Sequence, residues 1–348
     1  MSVPGVIRFR KWQVGSQTVF GTPVAATRVL PYRGVMVANP NWTDDDTDVG
    51  SIDEIIAPYR VGIDATATLA GRTNYNDLPY TWNALLKGGV TPTGATAKVW
   101  TYQAASLTQD AWGYTTGQFG DDVDDTAATN DWVQGLDGVI EQVTFTGPDN
   151  QGPLEISENW RFSDVNGWGN HALSGTVPTH SLTVDANPER VMLADTELYI
   201  NSTAATIGNT KITDALHALT LTITQAVDLK RFANGSNTRF AIRDYSRSTR
   251  TIELRLRFAK KDVAVIEAQN VFAATAVNRY IELKTTSPTI ITAGIPYSNS
   301  IRLPLRYRTR EDTDLNGNSV IDLIGRAFYD STLTYTIKAV TTNTLTAL

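Results

Sequence analysis

Two stretches of this chain alternate strictly between apolar and polar side chains. Residues 219–224 and 251–258 place Leu, Ile or Phe at every second position and Thr, Glu or Arg between them. A period of two residues is typical of a β-strand with one buried and one wet face. The segment between them holds the turn signal Asn234-Gly235-Ser236-Asn237. The two strands are therefore predicted to lie in one antiparallel sheet.

The same signal recurs along most of the chain. Further strands are predicted at 61–71, 99–103, 139–145, 154–162, 190–200, 279–284, 301–308 and 333–338, separated by loops rich in Gly, Asp, Asn and Thr. The predicted fold class is mainly β (α+β): a β-sandwich or barrel with one or two short packing helices, long loops and an N-terminal arm. At 348 residues the chain is long for one domain, but β-sandwiches and barrels reach this size.

Two short helices are predicted. One spans 78–87, with Asp77 as N-cap and one apolar face packed across a sheet. The other spans 262–272, with Asp262 as cap and with Val263, Ile266 and the pair at 271–272 facing one way. We divide the chain into an arm (1–38) and two parts of a composite β core (39–175 and 176–348), with a soft boundary near residue 175.

The N-terminal segment has few helix signals. Residues 6–32 are predicted to be extended, as an edge strand or as an arm that reaches a neighbouring subunit. Its candidate assembly residues are Trp12, Phe20, Pro23 and Arg28. This segment has no secretory leader pattern, and no apolar window of 18 residues occurs in the chain, so no membrane partner is expected.

The charge balance limits the function classes. A net charge of −6 argues against binding dominated by phosphate neutralisation. Two acidic runs, 44–48 and 121–125, are read as solvated loops. Arginines are dense at 239–257 and 302–310, either as a nucleic-acid face or, as we favour, as one half of an ion-pair pattern whose other half is the acidic loops, within or between subunits.

Signals for catalysis are weak. The three histidines have no metal-ligand spacing, and no nucleophile elbow or complete phosphate loop occurs. No enzyme activity and no cofactor are expected, apart from one candidate calcium loop. In that loop Asp314, Asn316, Asn318 and Asp322 offer oxygens around a short turn, but the closing carboxylate of the calcium motif is missing. An Asx-rich turn without an ion is the favoured interpretation.

Residues 11–31, which read KWQVGSQTVFGTPVAATRVLP, resemble the start of major tail tube proteins of long-tailed (siphovirus-like) bacteriophages. In that family a stretch reading Thr-x-Tyr/Phe-Gly-Thr-Pro-Val-x-Ala-Thr precedes the first loop. The later order is similar too, with an alternating strand at 61–71, a helix that ends in Leu-Leu-Lys-Gly-Gly-Val, and a strand around residue 101. The motifs are specific over about the first ninety residues.

The resemblance implies a structural virion protein. Such subunits form rings, hexameric in the expected case, that stack around a channel for DNA. The implied partners are further copies of itself, other phage tail proteins and the DNA that passes without specific binding. The implied location is the virion tail, after assembly in the host cytoplasm. On charge grounds, the candidate acids of the channel wall are Asp64, Glu141, Glu155, Glu253 and Glu282.

Two alternatives stay open. One is another tail component, either a distal tail or a decoration protein. The other is a β-sandwich that binds or hydrolyses glycans, for which Trp112, Tyr114, Trp132 and Trp168 near the acidic run at 121–125 are the candidate platform. Packing in a core or an interface is the more common role for such aromatic residues.

Overall fold

A computed structural model describes most of the chain. It covers residues 10–45, 57–104, 111–121, 132–166, 182–185, 188–231, 244–275, 277–315 and 317–348. The N-terminal half of the chain contains β1 (Arg10–Gln17), β2 (Arg28–Leu30), β3 (Arg33–Asp45), β4 (Ala57–Arg72), α1 (Leu78–Leu85), β5 (Lys98–Gln103), β6 (Tyr114–Asp121), β7 (Trp132–Gly147), β8 (Glu155–Phe162) and β9 (Asp164–Asn166). The C-terminal half contains β10 (Thr196–Asn201), β11 (Lys211–Ile212), β12 (Leu216–Lys230), β13 (Asp244–Ala259), α2 (Asp262–Gln269), β14 (Arg279–Thr292), β15 (Ile295–Leu315), β16 (Asn318–Ala327) and β17 (Lys338–Asn343).

The larger sheet has the strand order β3-β4-β8-β7-β12-β13-β16-β15, and its pairings are antiparallel. The two stretches of strict alternation are β12 and β13, paired so that Leu221 lies opposite Leu254. Both leucines are buried, whereas Thr222 and Glu253, the next pair, point away from the core. The predicted antiparallel pair is confirmed, with the apolar phase of both strands on one face.

The smaller sheet has the order β11-β10-β14-β15-β17-β5, also antiparallel. The long strand β15 belongs to both sheets. Its first half, 295–305, pairs with β14, and its second half, 305–315, pairs with β16. A register shift between Tyr307 and Thr309 marks the crossing, as expected for a bulge that bends a strand from one sheet into another. The fold is therefore a β-sandwich whose two sheets share a strand.

A third, smaller set of strands, β2-β1-β6-β7-β9, uses the first part of β7. It contains the segment that the sequence predicts as an edge strand or as an arm that reaches a neighbouring subunit. Trp12 is 1% exposed and its ring lies 5.9 Å from Phe119 and 6.2 Å from Phe162. β1 pairs on both sides, with β2 and β6, so residues 10–30 are an integral part of this subunit. Residues 1–9 lie outside the described part.

The other candidate arm residues also contact their own chain. Phe20 packs against Tyr114 and Tyr245, with ring centroids 5.2 and 5.7 Å apart. Nε of Arg28 donates to Oδ1 of Asp77 at 2.8 Å. Pro23 is half-buried. The predicted arm boundary at residue 38 falls inside β3, and the boundary near residue 175 lies outside the described residues.

Both helices pack differently from the prediction. α1 lies in the core with all of its residues buried, not with one apolar face on a sheet. The ring of Trp82 packs against that of Phe145 in a tilted arrangement, with the ring centroids 5.2 Å apart. Leu78 of α1 lines a small apolar cavity together with Leu221 of the larger sheet and Leu283 of the smaller sheet. The helix is therefore enclosed by the sandwich.

α2 turns its alanines inward. Ala264 and Ala268 are buried, whereas Ile266 is 59% exposed and Phe272, just after the helix, is 74% exposed. Val263 is exposed as well. Of the side chains predicted to face one way, Val263, Ile266 and Phe272 are therefore exposed, whereas Val271 packs against the core.

Candidate functional site: the polar face of the larger sheet

The outer surface of the larger sheet is a broad polar surface, which we call the polar face. It is formed by the side chains that alternate with the buried positions of each strand. Its members include Thr66, Thr68, Gln142, Thr144, Thr146, Ser157, Asn159, Arg161, Thr220, Thr222, Thr224, Thr251, Glu253, Arg255, Arg257, Asp322 and Arg326. Hydroxyl groups meet across strands, as between Thr144 and Thr222, whose Oγ1 atoms lie 3.3 Å apart.

Two arginines of the polar face share one buried carboxylate. Asp322, on β16, lies opposite Arg257 of β13 and accepts from its Nε at 2.9 Å and its Nη2 at 3.1 Å. Nη2 of Arg255 donates to the same carboxylate at 2.6 Å and to Oε2 of Glu311 at 2.9 Å. Asp149 adds a contact to Arg257 at 3.3 Å. The cations of this region are thus held by local acids.

The electrostatics agree with that geometry. Burial alone raises the pKa of Asp322, but the hydrogen bonds and positive charges of Arg257 and Arg255 outweigh it, so the pKa lies below its usual range. From the sequence, the counter-charges were expected on the acidic loops at 44–48 and 121–125. The structure instead places them on β15, β16 and the β7–β8 turn for these two arginines.

Four of the five candidate channel acids lie on or beside the larger sheet. Glu155 and Glu253 are exposed on the polar face. Glu141 pairs with Nε of Arg161 at 3.2 Å, and Asp64 pairs with Nη2 of Arg231 at 3.1 Å. Glu282 does not belong with them, because it lies on β14 in the smaller sheet and is buried.

The candidate calcium residues do not converge. Asp314 and Asn318 lie at the β15–β16 turn, where Asp314 accepts from the backbone N of Gly317 at 2.8 Å. Asp322 lies farther along β16, opposite Glu311, and its carboxylate is engaged by the two arginines. Asn316 lies outside the described residues. Within the described part of the chain, no group of three or more His, Cys, Asp or Glu side chains is placed to hold a metal ion.

The candidate glycan platform is only partly described. Trp112 and Tyr114 join Tyr245 in a packed cluster, and Nε1 of Trp112 donates to the backbone O of Tyr245 at 3.2 Å. These two rings therefore pack within the subunit. The side chain of Trp132, all of Trp168 and residues 122–125 lie outside what the structure describes.

A buried carboxyl pair was missed by the sequence analysis. Glu158 accepts from Oγ1 of Thr81 at 2.6 Å and from Nε1 of Trp160 at 2.9 Å. Asp77 does not cap α1 with its side chain but binds Arg28 and Asn74. Burial raises the pKa of Glu158 to about 7 and that of Asp77 to about 6. The sequence did hold one indication of this burial. Glu158 lies two residues before Trp160 on β8, so both side chains point to the same, inward side of the strand.

Comparison with known proteins adds no relative. A scan against models of protein families found no match, and a search of curated proteins found none either. Neither helix of the described chain is long and apolar enough to span a membrane.

Proposed function

We propose that this chain is a structural subunit of a phage tail tube. In this proposal the subunits form rings, hexameric in the expected case, that stack around a channel through which DNA passes. The partners are further copies of the chain and other tail proteins, and the location is the virion tail.

The observation that carries the proposal is the polar face, on which Arg255 and Arg257 are paired with local acids. A surface along which DNA slides has to be wet, without free cations that would bind phosphates. The Thr-rich strands provide hydrogen-bonding groups, and the guanidinium groups of Arg255 and Arg257 are held by Asp322 and its neighbours. Glu155 and Glu253 add exposed negative charge. This combination favours weak, non-specific contact with a polyanion.

Exposed apolar groups favour self-association. The outward side of α2 presents Val263, Ile266 and Phe272. Clusters of exposed apolar side chains commonly mark interaction surfaces. On a chain with a wet, ion-paired sheet face, they are the natural contacts between neighbouring subunits.

The test is negative-stain electron microscopy of the purified full-length protein at high concentration, with light scattering after size exclusion. We expect hollow tubes or stacked rings. Single rings that never stack would favour a distal tail or decoration protein instead. A monomer at every concentration, including in the presence of preformed tail tips, would contradict the proposal.

A further inference from the structure

A groove with excess positive charge crosses the outer face of the smaller sheet. It has a volume of about 370 Å³, and its charged lining residues are Glu282, Lys284, Arg302 and Lys338. They come from three adjacent strands, β14, β15 and β17. Three cations therefore share the groove with one carboxylate, which leaves an excess of two positive charges.

Glu282 and Arg302 form the floor of the groove. Glu282 is only 3% exposed, and its Oε1 accepts from Oγ of Ser300 at 2.6 Å and lies 3.1 Å from Nε of Arg302. The N–H at Nε does not point at that oxygen, so this buried nitrogen has no hydrogen-bond partner. Among the described residues, none accepts a hydrogen bond from the guanidinium group of Arg302. A buried donor without an acceptor is costly, which favours an acceptor supplied by a ligand.

The two lysines of the groove also lack a close carboxylate. Lys338 lies directly opposite Arg302, and like charges in that position repel. Lys284 lies opposite Glu197, but that carboxylate is already bound by Nζ of Lys211 at 2.6 Å. Neither ammonium group in the groove forms a hydrogen bond or an ion pair with a residue in the described ranges. An anion in the groove would relieve the repulsion between these cations.

A glycine in the wall keeps the floor accessible. Gly208 has a φ of +88°, and a Cβ atom on it would lie 2.3 Å from Oε2 of Glu282 and 3.9 Å from Nη2 of Arg302. An L side chain is strained at that φ and would strike the carboxylate. With glycine there, a small terminal group can reach the guanidinium between the wall and β17. A phosphodiester inside a nucleic-acid backbone carries a sugar on both sides and fits such a recess less well.

We propose that this groove binds the phosphate monoester group of a small molecule. A phosphate monoester carries a charge of about −1.5 to −2 at pH 7 and three strong acceptor oxygens. Its charge matches the excess in the groove, and its oxygens suit the fork of donors on Arg302 and the ammonium groups of Lys284 and Lys338. This site goes beyond the proposed function, because it needs no second copy of the chain.

The experiment is isothermal titration calorimetry of the full-length protein at low salt with glycerol 3-phosphate, and with glycerol as the neutral probe. We expect saturable binding of glycerol 3-phosphate and none of glycerol. Lys284→Gln/Lys338→Gln should weaken binding by roughly tenfold or more, since two charge-assisted contacts are lost. Glu282→Gln should tighten binding several-fold, because it removes the one carboxylate of the groove and keeps the side-chain shape.

Lys260→Gln is the matched control. It removes an exposed lysine outside the groove, so its affinity for glycerol 3-phosphate should equal that of the wild type. Circular dichroism verifies that all variants are folded. No saturable binding by the wild type, or equal affinity in the wild type and Lys284→Gln/Lys338→Gln, would overturn the proposed site.

Two further measurements separate this site from other phosphates and from assembly. A DNA duplex without terminal phosphates that displaces glycerol 3-phosphate, and whose binding needs the same two lysines, would assign the groove to backbone phosphates and overturn the proposal. Electron microscopy of the same samples scores tube formation. Lost phosphate binding with normal tubes supports a site separate from assembly, whereas a wild type that binds phosphate and never assembles would remove the proposed function alone.

Discussion

Arg257 and Asp322 face each other across β13 and β16, and Nε of Arg257 donates to Oδ1 of Asp322 at 2.9 Å. The carboxylate side chain is fully buried, whereas the guanidinium side chain is 28% exposed. The guanidinium group of Arg257 therefore shields the Asp322 carboxylate from solvent, and the charges of the two groups compensate each other on an arginine-rich strand. Under the proposed function, this pairing keeps the arginine from holding the DNA that passes along the polar face.

Replacing Asp322 should convert the polar face into a DNA-retaining surface. Asp322→Ala removes the acid that both arginines share and leaves only Glu311 beside Arg255 and Asp149 beside Arg257. We therefore expect tighter duplex binding at low salt, with a steeper salt dependence as each phosphate contact releases a counterion. The substitution should also cost roughly 2 kcal/mol of unfolding free energy, less than for a fully buried pair because both arginines reach solvent. Filter binding and urea denaturation measure the two effects.

Glu253→Gln is the matched control for the stability effect of that variant. Glu253 lies on β13 opposite Arg326 of β16, and it is exposed, so it has no burial to lose. Its substitution should change stability by less than about 0.5 kcal/mol, as for surface changes in general. Equal DNA retention by Asp322→Ala and the wild type would contradict the assigned role of the ion pair.

The buried pair Glu158 and Asp77 predicts a pH-dependent stability. Burial raises the pKa of Glu158 to about 7, with further upward pressure from Asp77, whereas the hydrogen bonds from Thr81 and Trp160 oppose the rise. For Asp77, burial raises the pKa to about 6 against the lowering effect of Arg28, Asn74 and Arg190. Between about pH 4 and pH 7 the folded state binds more protons than the unfolded chain. Their contribution to stability is therefore complete below pH 4 and is lost as pH rises to 7.

Glu158→Gln should flatten this part of the pH profile. We would measure urea unfolding from pH 4 to pH 8 for the wild type, Glu158→Gln and Glu155→Gln. Glu155 lies on the same strand but is exposed, so its variant should follow the wild-type slope. Parallel profiles for the wild type and Glu158→Gln would show that the buried carboxyl does not titrate as expected.

Trp12 should be essential for the fold and not only for assembly. Trp12→Ala removes a ring that packs on Phe119 and Phe162 in the core, and such truncations cost about 3–5 kcal/mol. Val19→Ala, at a side chain that is 58% exposed nearby, is the comparison and should be nearly neutral. If Trp12→Ala retained wild-type stability but lost tube formation, the segment would be an intersubunit arm after all.

The exposed side of α2 should contribute to assembly without supporting the subunit. Ile266→Ser/Phe272→Ser removes apolar surface that is already in solvent, so the unfolding midpoint should stay unchanged. Sedimentation velocity should show assembly shifted to higher concentration. Val19→Ser is the matched exposed substitution. Tubes that form from the α2 variant at wild-type concentration would assign this surface to another partner.

Local periodicity in the sequence determined the strands and, through them, the fold class. Alternation in β12 and β13 shows which side chains point into the core and which face water, because the two-residue period is a property of each strand alone. The same reasoning located α1 and α2 but misjudged their environments. A helix pattern shows which side chains share a face and does not show whether one sheet or two will cover it.

Only the tertiary structure decided which side chains contact each other. Arg257 and Asp322 are 65 residues apart in the chain, and Gln17 and Asp137 are 120 apart, yet each pair is in contact. Such pairings depend on which strands become neighbours and in which register, and a shift of one residue would turn every side chain to the other face. For that reason the sequence could show that β13 has a polar face rich in arginine. The pairing of Arg255 and Arg257 with carboxylates followed only from the placement of β15 and β16 beside β13.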